Sequence, residues 1–429
     1  MTATQWEKAT LGDYFHLKHG FAFKGEFFAN SGSYILLTPG NFRRDGGLEA
    51  RGEREKYYIG EFPSNFLLKE GDLLIVLTDL TQNAPILGSP AIIPVSGKYL
   101  HNQRLGKVVK LDESKLKKKF LYYLLNTANV REQIKATATG STVRHTAPER
   151  IYSVRVSVPD LPSQQRIVDI LSAYDDLIEN NTRRIKILEQ MAQMLYREWF
   201  VNFQFPGNEK VRMVESDMGT VPDGWPLGIL RDVCSSVDYG YTASAVVEPV
   251  GPKLLRITDI VPDTIDWNSV PHCSISPEKR DKYRLTEGDI VIARTGATTG
   301  YAKRLNKKHP DCVFASYLVR LRMKSEHSNH AFGLLVESDD YKRFITANLG
   351  GAAQPQANAQ VLTSLPVAIP PTPLQQRFSS IVEPMLDERE VLQSKNMNLR
   401  STRDLLLPKL VSGEISVEKT EVEAVAEMV

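Results

Sequence analysis

Apolar positions recur at a four-three spacing through Ile167, Leu171, Tyr174, Ile178, Asn181, Ile185, Leu188, Ala192, Leu195 and Trp199. An alternation sustained over this length predicts a coiled-coil helix, and its one polar seam position, Asn181, is of the kind that fixes register at some cost in stability. Neither Gly nor Pro interrupts residues 163–205, and Pro162 falls in the first turn, where a missing N–H costs no hydrogen bond. The helix is expected to run to about Phe203, a rod of roughly 60 Å at about 1.5 Å per residue. A second long helix follows Pro373, to about Val411. Met385, Leu392, Leu399 and Leu406 recur at sevens along it, but the interleaved Arg389, Asn396 and Arg403 are polar, so this helix is expected to lean on the first.

The stretches before the two helices resemble each other. Trp6 leads to Leu11-Gly12-Asp13 as Trp225 leads to Leu230-Arg231-Asp232, and residues 66–76 (FLLKEGDLLIV) match residues 283–293 (YRLTEGDIVIA). Residues 153–159 (SVRVSVP) match residues 364–370 (SLPVAIP), and Gln164-Gln165-Arg166 matches Gln375-Gln376-Arg377. Four landmarks in one order at nearly one spacing define a tandem repeat. The expected division is a domain at 1–160, a helix at 161–205, a domain at 206–371, a helix at 372–413 and an acidic tail at 414–429.

Each domain reads as β-rich, giving an α+β fold with two globular domains and two long helices that pair antiparallel as a pseudo-twofold molecule. Gly-Asp before an apolar run marks a turn feeding a buried strand, at Gly71-Asp72 and again at Gly288-Asp289. Further strands are expected near Pro90–Val95, Lys107–Leu111 and Tyr317–Leu321, and helical segments over Phe120–Lys135 and His330–Asn348. Residues 204–224, rich in charge, Gly and Pro, read as a linker, and Pro370-Pro371-Thr372-Pro373 as a hinge.

Composition adds a class and a compartment. Hydrophobic residues at 42% and charged residues at 24% describe an ordinary soluble protein. Cys234, Cys273 and Cys312 are widely spaced, which argues against a disulfide framework or a thiolate zinc site and fits a reducing cytoplasm. No signal-peptide pattern or membrane-spanning run is found, so no membrane role is expected. The net charge of +2 hides an uneven distribution: +6 over 1–160, −1 over 161–205, 0 over 206–371 and −3 over 372–429. Positive charge therefore collects in the first domain, as contact with a polyanion requires.

Two related domains joined by paired helices suit a reader of duplex DNA, because symmetric readers place two modules a fixed distance apart along the duplex. A rod of about 60 Å spans roughly 17 base pairs, so helix length would set an unread gap between two half-sites. The closing motifs sharpen this. Pro162 to Ile167 (PSQQRI), Tyr196 to Phe200 (YREWF) and Leu407 to Ile415 (LPKLVSGEI) together resemble the DNA-specificity subunit of type I restriction-modification enzymes. The resemblance implies a non-catalytic, cytoplasmic subunit with two target-recognition domains reading the halves of a bipartite, asymmetric sequence in double-stranded DNA. It also implies docking of two methyltransferase subunits on the paired helices, with restriction subunits joining them. S-adenosylmethionine, ATP and Mg2+ would be held by those partners, and no cofactor by this chain.

The resemblance does not fix base-contacting residues, so candidates come from chemistry: Arg, Lys, Asn, Gln, Ser and Thr read base edges, and basic or hydroxyl side chains hold phosphates. In the first domain these are Asn41, Arg43 and Arg44 in a Gly-flanked loop, and Thr81, Gln82 and Asn83 after the buried strand. Asn102, Gln103 and Arg104 follow a turn, and Ser141, Thr142, Arg144 and His145 lie in the loop before the long helix. The second domain offers Arg256, then Arg294, Thr295, Thr298 and Thr299 after the equivalent strand, and Gln354, Gln356 and Asn358 before its helix. Each has a bland reading as a solvated loop residue. Lys115 to Lys119 reads as the start of a surface helix before it reads as a phosphate grip. Trp199, with Tyr196, Phe200 and Phe203, is either packing or a partner anchor. The pairs His16/His19 and His327/His330 have a spacing that could present two metal ligands on a helix, but nothing nearby completes a set, so no metal is expected.

Catalytic motifs are missing. There is no Asn-Pro-Pro-aromatic or Asp-Pro-Pro-aromatic methyltransferase motif, and Gly97-Lys98 lacks the remainder of a phosphate loop. Tyr57-Tyr58-Ile59-Gly60 is only half of a nuclease motif. The remaining alternative is a coiled-coil scaffold whose β-rich domains bind protein.

Overall fold

The computed structural model describes residues 6–262, 264–349 and 356–417. The chain divides into two compact units, Met1–Glu179 with Met397–Val429, and Asn180–Asn396. The division falls inside both long helices, Leu161–Tyr196 and Thr372–Ser412, so each unit holds a globular part and a stretch of each helix. Among the described residues no helix is long and apolar enough to cross a membrane.

The tandem repeat is a repeat of topology. In unit 1 an antiparallel sheet orders His16–His19, Leu105–Val109, Leu73–Val76 and Pro90–Ile92. In unit 2 the same order is taken by Cys234–Tyr239, Leu318–Met323, Ile290–Ala293 and Ala302–Arg304. Glu7–Thr10 pairs with Arg155–Val158 as Leu227–Ile229 pairs with Pro366–Ala368. The parallel pair Tyr34–Leu36 and Tyr99–Leu100 likewise has its counterpart in Lys253–Leu255 and Cys312–Phe314.

The Gly-Asp turns explain why the central strands form where they do. Gly71 and Gly288 hold φ values of 79° and 82°, a region that side chains resist. The Asp that follows closes the turn, Asp72 accepting from the Lys69 N–H and Asp289 from the Thr286 N–H, both at 2.9 Å. A cation from the adjacent strand then meets each carboxylate: Lys107 on Asp72 and Arg322 on Asp289, each at 2.7 Å. The strands they start, Leu73–Val76 and Ile290–Ala293, are buried throughout.

Three expectations about elements are corrected. Phe120–Lys135 is two helices, Lys118–Leu125 and Ala128–Ala136, broken where the Thr127 hydroxyl donates to the Leu124 carbonyl (2.7 Å). His330–Asn348 breaks in the same way at Ser338, whose hydroxyl donates to the Leu335 carbonyl (2.6 Å) and accepts from the Tyr341 N–H, leaving Asn329–Glu337 and Asp339–Ala347. The stretch read as a linker at 204–224 contains a hairpin, Met213–Ser216 with Gly219–Pro222. His16 and His19 lie on a strand and His327 precedes its helix, so neither pair is presented from one helix.

The seam of the first helix behaves as its pattern requires. Ile167, Leu171, Ile178, Asn181, Ala192 and Trp199 are buried, and Tyr174, Ile185, Leu188 and Leu195 half-buried. On the second helix Leu392 is buried, Leu399 and Leu406 are half-buried, and Leu386 takes the core position expected of Met385. The polar seam positions find polar partners. In unit 2 the Asn181 amide donates to Asn396 (3.0 Å), Arg184 meets Glu388 and Arg389 approaches Glu189, an antiparallel order. In unit 1 Arg403, nearly buried, bonds Asp175 (2.6 Å) and Asp404 (2.8 Å). The helix continues through Pro384, which lacks the N–H of a helical hydrogen bond and is exposed to water.

One buried amide staples each helix to its domain. Gln164 accepts from the Lys117 N–H (2.8 Å) and donates to the carbonyls of Lys115 (2.8 Å) and Pro159 (2.9 Å). Gln375 accepts from the Ser328 N–H (2.8 Å) and donates to the Pro370 carbonyl (2.7 Å). This is the physical content of the repeated Gln-Gln-Arg: its first glutamine is buried in both copies.

Trp199 is a packing residue, not an exposed partner anchor. The helix widens into a π-turn at Arg197–Val201, which turns Trp199 inward onto Phe378, with ring centres 5.7 Å apart, in a cluster that includes Phe205 and Trp225.

Candidate nucleic-acid interface

Three loops that are distant in sequence meet at the end of the central sheet of unit 1. The Leu77 N–H donates to the Arg104 carbonyl (2.9 Å), and the Leu77 carbonyl accepts from the Thr146 N–H (3.0 Å). Thr78–Asp79 then pairs with Arg144–His145, and the Thr78 hydroxyl lies 2.9 Å from His145 Nδ1. The loops carrying Thr81 to Asn83, Asn102 to Arg104 and Ser141 to His145 are thereby held together. In unit 2 the Arg294 N–H donates to the Tyr317 carbonyl (3.0 Å) and its carbonyl accepts from Ala357 (2.9 Å), while Thr295 bridges Gln356. The predicted loops after the strand and before the long helix meet in both copies.

Within these loops the side chains divide into framework and display. Asn102 is buried and accepts from the Arg104 N–H, and Thr81 bonds Asp79 through both its N–H and its hydroxyl. The buried Thr299 hydroxyl donates to the Gly296 carbonyl (2.7 Å), and Asn358 caps the helix Ala359–Thr363. Asn102 and Thr299 are thus buried within the loop framework, while Thr81 and Asn358, although hydrogen-bonded to it, stay exposed. Arg144 is half-buried, and one of its terminal nitrogens donates weakly to the Ala138 carbonyl (3.4 Å). Gln82, Asn83, Gln103, Arg104, Ser141 and Thr142 are exposed in unit 1, as is Gln356 in unit 2, where Thr295 and Thr298 are half-exposed. Gln354 lies outside the described residues.

Two further candidate groups make local ties of their own. Asn41 is buried, accepts from the Thr38 N–H (2.9 Å) and donates to Glu55, so it shapes its loop. Arg43 donates to the Gly46 carbonyl, and Asp45 of the same loop bonds Arg403 on the second long helix, leaving Arg44 exposed there. Arg256 is locked on Asp259, with bonds of 3.0 and 2.8 Å. These ties engage the side chains within their own loops or with the second long helix. Lys115 to Lys119 opens the helix Lys118–Leu125, with Leu116 buried, so the run is a helix start.

Features that residue chemistry alone did not single out complete the junction. Gly20 and Gly240 end the outer strands, where an added Cβ would lie 2.1 Å from the Asn102 carbonyl oxygen and 2.2 Å from that of Ala315. Only glycine lets the strand pass so close to the loop. The signal was present as His19-Gly20-Phe21 and Tyr239-Gly240-Tyr241, a fifth repeated landmark. Tyr239 and Tyr317, 44% and 59% exposed, flank Arg294. Cys234, Cys273 and Cys312 are all buried, and burial pushes the Cys234 and Cys312 thiols up to about 12, unsuited to nucleophilic work.

Known proteins share this design. A specificity subunit of the type I restriction enzyme MjaIX from Methanocaldococcus jannaschii is 28% identical over 346 residues, covering 79% of this chain and 78% of that one. The MjaVIII specificity subunit of the same organism is 22% identical over 363 residues, covering 82% and 81%. The crystal structure of an S subunit of a type I restriction-modification system from M. genitalium covers 96% of this chain and 97% of its own, with a TM-score of 0.60 at 15% identity, a likeness of fold. The family model for the type I restriction modification DNA specificity domain matches residues 4–190 and 273–399, most of the chain and part of each copy of the repeat, and the chain belongs to that family.

Proposed function

We propose that this chain, working in the cytoplasm, reads a bipartite, asymmetric sequence in double-stranded DNA, one half with each unit. The carrying observation is the three-loop junction: the same backbone bonds recur in both units while the side chains they display differ. A common frame with unlike displays is what two different half-sites require, with affinity from phosphates and discrimination from base edges. The excess positive charge of residues 1–160 favours the first contact.

The chain has no chemistry of its own in this proposal. Two methyltransferase subunits and the restriction subunits supply it, together with S-adenosylmethionine, ATP and Mg2+. In unit 2 the first long helix exposes Ile187, Met191 and Met194 at four-three spacing, 54%, 46% and 66% exposed, an apolar stripe suited to a methyltransferase subunit. This stripe replaces Trp199 as the anchor.

Methylome sequencing of cells with and without the gene tests the proposal. The expected result is loss of one bipartite asymmetric motif methylated in both halves. A methylome unchanged in cells that express the partner subunits would instead favour a protein-binding scaffold.

A further inference from the structure

The residue after the buried strand has the same backbone setting in both units and opposite chemistry. Leu77 and Arg294 are each held between two loops by bonds of 2.9 to 3.0 Å, to Arg104 and Thr146 in one case and to Tyr317 and Ala357 in the other. Leu77 is buried, so the cation of that corner is the exposed Arg104. In unit 2 the cation moves to position 294, and an exposed tyrosine, Tyr317, stands where Arg104 stood. The strand-end position changes too, from His19 opposite Gly106 to Tyr239 opposite Val319.

Arg294 is held without being neutralised. Its guanidinium lies 5.0 Å over the Tyr239 ring, and Tyr239 is fixed by a bond from the Ala359 N–H to its hydroxyl (2.9 Å). The Arg294 Nε is buried with no hydrogen-bond partner, and among the described residues the side chain has no ion pair. Arg256, Arg320 and Arg322 of the same unit each sit on a carboxylate. Contact with an aromatic face restricts a guanidinium while leaving its terminal N–H fork for a ligand.

We propose that Arg294, oriented by Tyr239, reads a guanine in the half-site taken by unit 2, and that Arg104 is its counterpart in unit 1. This rests on the DNA reading above. Guanine O6 and N7 accept two parallel N–H donors in the base plane, which rewards a fixed guanidinium plane, whereas a phosphate can also be held by a point charge such as lysine. Losing such a pair relaxes discrimination at one base by roughly ten- to a hundredfold.

The test is methylome sequencing of cells carrying the intact complex with the wild-type chain, R294A, R294K or R104A. R294A is expected to make one guanine of one half-site degenerate and leave the other half intact, and R104A to do the reverse. R294K, which keeps the charge but not the fork, is expected to relax the same position as R294A and covers the case in which R294A does not accumulate. An unchanged motif in R294K and R294A, or a uniform loss of methylation at every target with no base relaxed, would overturn the inference. A wild-type methylome without a bipartite motif would sink the DNA reading itself, before any variant is compared.

Discussion

Gln164 holds one acceptor and two donor contacts in a fully buried site, so its amide is matched at both ends. Glu in its place keeps the shape but cannot donate to the Lys115 and Pro159 carbonyls, and it brings a charge into a fully buried site. Gln164→Glu is therefore expected to lower unfolding free energy by about 3–5 kcal/mol, read as a fall in the urea midpoint. His101 makes a pH-dependent contribution. Burial pushes its imidazole down from 6.5 to about 4, although one nitrogen lies 2.9 Å from the Leu105 carbonyl. The unfolded chain takes up a proton below pH 6.5 and the folded one only near 4, so stability falls as pH drops through that window, by of order 3 kcal/mol. His330, pushed down to about 4 chiefly by burial, adds a slope of the same sign in unit 2. His101→Gln should remove part of the slope of urea midpoint against pH, leaving the His330 part. Little of this was legible in the residues themselves. The side chains that suit a base edge also suit a cap or a turn, which is why Asn41, Asn102 and Asn358, offered as DNA contacts, also close turns and a helix cap.

The long helices were the most legible elements, because a seam is written at fixed spacing and needs no knowledge of distant contacts. Their polar positions were not, since the worth of Asn396 or Arg403 depends on what faces it. Asn181→Leu leaves the Asn396 amide facing an apolar side chain and is expected to cost about 1–3 kcal/mol. The double variant Asn181→Leu, Asn396→Leu should recover that loss or exceed it while loosening register, seen as a rise in thermal midpoint with mixed assembly states by light scattering. The outer face of the first helix makes a separate prediction. Met194 is 66% exposed, so Met194→Glu should shift the urea midpoint by no more than about 0.5 kcal/mol in stability. If the stripe docks a methyltransferase subunit as proposed, co-purification with it should nevertheless fall sharply, since the carboxylate would be desolvated in an apolar contact.

At the scale of the molecule, the repeat carried the fold. Landmarks such as Gly71-Asp72 and Gly288-Asp289 are local chemistry that both copies need, and they led to the same sheet order in each unit. What lay between the landmarks was less legible, as with the hairpin at Met213–Pro222, whose turn residues resemble those of an open linker. Because each unit contains its own stretch of the helix pair, length can be added at the division without disturbing either. Seven residues inserted after Thr182 and seven before Asn396 keep the heptad phase and the Asn396 bonds to Asn181 and Thr182, which a four-residue insertion in one helix would not. The addition is worth about 10 Å, roughly three base pairs. If the helices act as a ruler, methylome sequencing should find both half-sites unchanged and the unread gap longer by about that amount. A gap that stays constant would mean that spacing is set by the bound subunits, and an altered half-site would mean that the junction loops do not read DNA independently of the helices.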